Sequence, residues 1–66
     1  DAKVYWSNGL LYIEDIQAAD LVKPYSVYSI DGQLVDFGKI ETSQIVISVP
    51  QGIYIVIVGD SVYKVR

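Results

Sequence analysis

Short turn signals set at regular intervals between runs of alternating apolar and polar residues restrict this chain more than anything else in it, because they leave room for strands and hairpins and for little else. Asn8-Gly9, Asp31-Gly32 and Gly59-Asp60 are pairs able to adopt the positive torsions of tight hairpins. Further breaks fall at Ala18 to Asp20, Gly38 to Thr42 and Pro50 to Gly52, where Pro50 presets the first torsion of a turn and Gly52 admits the backbone to the next strand. Between the breaks, β-branched and aromatic residues recur with period two, and helical spacing of apolar residues is nowhere sustained. The breaks predict about seven short strands and an all-β fold, a small antiparallel β-sandwich forming one domain over residues 1–66.

Two hairpins can be registered by counting. A two-residue turn at Asn8-Gly9 pairs Ser7 with Leu10, Trp6 with Leu11, Tyr5 with Tyr12, Val4 with Ile13 and Lys3 with Glu14. Val4, Trp6, Leu11 and Ile13 then share an apolar face, with Trp6 in the core, and the opposite face carries a Tyr5-Tyr12 pair and an opposite-charge Lys3-Glu14 pair. A turn at Gly59-Asp60 places Tyr54, Val56 and Val58 with Val65, Tyr63 and Ser61 on the core side. The other side holds Ile53, Ile55 and Ile57 beside Arg66, Lys64 and Val62. Such a contiguous stripe is either a central strand covered on both faces, by a loop or by the residues before Val27, or a contact face for a partner, the parent protein or a second copy. The middle hairpin stays open: a two-residue Asp31-Gly32 loop pairs Tyr28 with Val35, and a three-residue loop with Gln33 and a bulge moves the register. Pro24, lacking an amide donor, belongs at a strand start or an edge.

Composition narrows the function. The chain has 66 residues, no Cys and no His, so neither disulfide nor zinc staple supports so small a core, and the common nucleophile and base pairs are missing. Net charge is −3 and the five basic residues are scattered, which disfavours nucleic acid as a partner. The longest apolar run, Ile53 to Val58, is far short of the ~20 residues of a membrane span. With no Met, and Asp1 at its start, the chain reads as a domain excised from a longer protein.

Carboxylates are the remaining chemistry. Glu14 and Asp15 are neighbours that point to opposite faces of a strand, and Asp31 is explained by its turn. Asp15, Asp20 and Asp31 lack the spacing of a calcium loop and read as solvated charge. No catalytic residue, metal site or cofactor is expected. Tyr5 and Tyr12, facing outward, are the one plausible platform for a carbohydrate or peptide, although outward tyrosines also stabilise hairpins by packing across strands.

The run Tyr25 to Val35, then Val49-Pro50-Gln51-Gly52-Ile53-Tyr54-Ile55-Val56, then Tyr63-Lys64-Val65, resembles the type IX secretion system C-terminal sorting domains of Bacteroidetes, a likeness extending from Leu10 to Arg66. Its motif positions fall on Gly32, Gly52, Tyr54, Val56, Lys64 and Val65. The resemblance implies an immunoglobulin-like sandwich on a secreted or outer-membrane surface protein, recognised by the outer-membrane translocon and removed by a sortase that attaches the cargo. None of the six positions is then catalytic, and each has a structural role: Gly32 and Gly52 in turns, Tyr54 and Val56 in the core, Lys64 as an outward edge charge that blocks strand addition. The chain departs from the family in lacking a Pro between Lys3 and Ser7 and in carrying Ile57 where a polar residue is usual.

Overall fold

The computed structural model describes residues 1–66 and contains β1 (Lys3–Ser7), β2 (Leu10–Glu14), β3 (Pro24–Ser29), β4 (Leu34–Lys39), β5 (Ile45–Ser48), β6 (Tyr54–Val58) and β7 (Ser61–Val65), with a 3-10 turn at Ala18–Asp20. The strands form two antiparallel sheets, β1-β2-β5 and β4-β3-β6-β7. This is a seven-strand β-sandwich in which the fourth strand pairs with the third, whereas the constant-type immunoglobulin arrangement pairs it with the fifth.

Both counted registers hold residue for residue, from Lys3 opposite Glu14 to Ser7 opposite Leu10, and from Tyr54 opposite Val65 to Val58 opposite Ser61. The first turn takes its two positive torsions at Asn8 and Gly9, with φ of 50° and 85°. The last takes one, at Gly59 with φ 59°, and Asp60 stays out of the left-handed region, as in hairpin turns with Gly at the first central position.

In the middle hairpin, neither Tyr28-Val35 pairing nor a loop containing Gln33 is found. Ser29 faces Gln33 across a three-residue loop of Ile30, Asp31 and Gly32, closed by the Gly32 N–H donating to the Ser29 carbonyl at 2.9 Å and the Ser29 N–H donating to the Gln33 carbonyl at 2.9 Å. Gly32 has φ 91°, the left-handed position that a three-residue loop needs. Tyr28 pairs with Leu34 and Val27 with Asp36, so Val35 is the extra residue of a bulge.

Gly38 is also corrected. It lies inside β4 opposite Tyr25, and a Cβ there would come within 3.1 Å of the Tyr25 ring, so this glycine makes room for an aromatic neighbour and does not begin a turn. Pro24 opens β3, where its missing N–H costs no ladder bond.

Alternation along the strands sends Leu11, Ile13, Val27, Tyr54, Val56, Val58 and Val65 into the space between the sheets. Ile16, Ile40 and Val49 join them from outside the strands. Each of these three has its backbone tied down: the Ile16 N–H donates to Ser43, that of Ile40 to Lys23 and that of Val49 to Gly9, at 2.9–3.1 Å. Trp6 packs at the margin of this core and donates its indole N–H to the Val49 carbonyl at 2.9 Å.

Candidate functional site

Strand β6 is central to its sheet, but only one of its faces is covered. Tyr54, Val56 and Val58 are buried, whereas Ile55 and Ile57 are half-buried on the outer face and Ile53, just ahead of the strand, is exposed. The expectation of a loop, or of the residues before Val27, closing over the isoleucines is therefore not met: Ser26 and Tyr28 lie beside Ile57 and Ile55 within the sheet. Cross-strand pairing sets Phe37, Ser26, Ile57 and Val62 in one outward row and Leu34, Tyr28, Ile55 and Lys64 in the next. Phe37 and Val62 remain 68% and 67% accessible.

Ser26 has the smallest side chain in its row, which notches the sheet between Phe37 and Ile57. An open groove of about 570 Å³ lies there, with Tyr28 and Leu34 along it and Pro24, Lys39 and Val22 at the end nearest the start of β3. Val22 adopts φ 64°, a left-handed torsion that is strained for a β-branched residue, while its N–H donates to the Ile40 carbonyl at 2.7 Å. Sequence reasoning found the isoleucines but not Phe37, Leu34 or Val22. The first two depend on the middle register, and nothing in the residue order around Val22 signals a positive torsion.

The six positions singled out by resemblance do not form one cluster. Gly32 closes the β3–β4 hairpin, remote in sequence from the rest. The other five belong to β6, β7 and the segment leading into them. Tyr54, Val56 and Val65 are core, and Lys64 is exposed on edge strand β7. The Tyr54 hydroxyl donates to the Pro50 carbonyl at 2.5 Å, and a Cβ added to Gly52 would rest in ordinary contact with the Tyr54 ring, 3.6 Å away. Gly52 is not in the left-handed region.

Tyr5 and Tyr12 project from the outer face of the β1-β2-β5 sheet and stack on each other, centroids 4.8 Å apart and planes 13° from parallel. Each ring thus spends one face on its neighbour, and the Lys3 ammonium lies 5.3 Å from the Tyr5 centroid. Lys3 and Glu14 are opposite in register, yet Glu14 takes its hydrogen bond from the Gln44 side chain at 3.0 Å. Burial first, then the nearby Glu14 carboxylate and the charge of Tyr12, raise the Tyr5 phenol above its ordinary pKa.

The acidic residues are dispersed, and no group of three that could hold a metal ion is assembled. Asp20 and Asp60 face the Lys23 ammonium at 3.3 and 3.6 Å, which raises the Lys23 pKa mainly through the Asp20 hydrogen bond. Asp31 accepts from the Ser29 hydroxyl inside its turn. Asp36 accepts from the Tyr25 hydroxyl at 3.0 Å, and burial, followed by that carboxylate, raises the Tyr25 phenol. These pairings hold loops and strand edges in place.

Comparison with protein-family models, with curated proteins and with solved structures finds no match to this chain.

Proposed function

We propose that this sandwich is a non-catalytic targeting domain of a longer secreted or outer-membrane surface protein, read as a folded body by the translocon and sortase of a type IX secretion system. The observation that supports the reading best is the placement of the resemblance-bearing residues: five of the six lie on the terminal β6–β7 hairpin and its lead-in, where Tyr54, Val56 and Val65 fix the hairpin to the core and leave Lys64 outward on an edge. A recognition signal needs that combination, a rigid base and an accessible side chain on an exposed strand. Fusion to a periplasmic reporter in a host with the type IX system tests it. Removal of Ser61 to Arg66 is expected to abolish surface display, and Lys64→Glu, which leaves the core untouched, to reduce it. Unchanged display in both variants would overturn the proposal.

A further inference from the structure

Charge is distributed unevenly over this molecule. The chain carries −3 overall, yet the outward positions on β4-β3-β6-β7 include Lys39 and Lys64 and not one of the eight acidic residues. Asp36, the single carboxylate in those strands, shares the inward row of Val27 and bonds to Tyr25. Asp20 and Asp60, beside Gly59 at one end of the groove, share the single ammonium of Lys23; Lys39, the one charged residue lining the groove, makes no ion pair, nor does Lys64 one row away opposite Ile55. An apolar groove with unpaired cations beside it is complementary to an apolar group with carboxylates beside it.

We propose that the groove over Ser26 docks an acidic polypeptide segment, with an apolar or aromatic anchor between Phe37 and Ile57 and a neighbouring carboxylate against Lys39. An anchor side chain seated over the small Ser26 would meet Phe37 on one side and Ile57 on the other, the two-sided contact that a polypeptide anchor uses. Val22 adds an independent observation. Its side chain is 73% accessible at the end of the groove and is held at a torsion that glycine would adopt without strain. Little packing inside the domain offsets that strain, whereas a docked anchor would gain a wall from it. The inference does not rest on the targeting role.

The test titrates the 15N-labelled chain with two synthetic hexapeptides, one with Trp-Leu flanked on each side by Asp and Glu, the other with Lys in place of every acid. The acidic peptide is expected to shift the amides of Ser26, Phe37, Lys39 and Ile57 and to bind about tenfold more tightly than the basic one at low salt, a preference that Lys39→Glu removes. Val22→Gly is expected to weaken binding by about threefold while raising the melting temperature, which separates loss of contact from loss of fold. Equal affinity for both peptides, binding to neither, or shifts confined to the Tyr5 and Tyr12 face would overturn the proposal. So would binding to phosphatidylglycerol-containing vesicles in place of peptide, or a concentration-dependent dimer that buries Phe37.

Discussion

Tyr54 closes the core with its ring and fastens the preceding segment with its hydroxyl. Tyr54→Phe removes only the bond to Pro50, and the expected cost is about 1 kcal/mol, read as a fall of roughly 4–8 °C in Tm by circular dichroism. The glycines divide by torsion. Gly32→Ala forces a methyl into the left-handed region and should destabilise by about 1–2 kcal/mol in urea unfolding. Gly52→Ala meets only ordinary contact with Tyr54 and should change stability by less than about 0.5 kcal/mol. A loss of surface display in Gly52→Ala with unchanged Tm would mark that position as read by a partner. Titration gives a further residue-scale expectation. Tyr5, Tyr25 and Lys23 all hold their protons more tightly in the folded state, so it binds more protons than the unfolded chain near pH 10 and above. The stability they contribute is complete below about pH 10 and declines as pH rises through the folded values. Urea midpoints between pH 8 and 11, followed alongside tyrosinate absorbance, should show that decline, and Tyr25→Phe should lessen it.

At the level of strands and turns, legibility followed the loops. Asn8-Gly9 admits a two-residue turn whose register then dictates every pair in β1 and β2, and the same logic carried β6 and β7. The β3–β4 loop was not legible, because placing the left-handed residue at Gly32 and inserting Val35 as a bulge changes the pairing without changing the alternation visible in the sequence. Gly38 misled for a related reason. A glycine in a strand and a glycine in a turn look alike until the Tyr25 ring opposite is known. The groove inherits this limit: Ile55 and Ile57 were evident from β6 alone, but their neighbours Phe37 and Leu34 required the unresolved register. Ile16, Ile40 and Val49 escaped because they are core residues outside any alternating run.

For the molecule as a whole, two sheets share one small core with no disulfide to support it. Leu11 is fully buried, and Leu11→Ala is expected to cost about 3 kcal/mol, a large part of what a chain of this length commands, so amide dispersion in NMR spectra should largely collapse. Phe37→Ser, on the open face, should leave that dispersion intact. The two halves of the sandwich are also joined at a seam, where the Ala2 N–H donates to the Tyr63 hydroxyl at 3.0 Å, linking positions 61 apart. That bond is worth about 1 kcal/mol and adds to the packing of β1 against β7, so the segment ahead of β1 is anchored to both sheets and should exchange its Ala2 amide hydrogen more slowly than an unattached segment would.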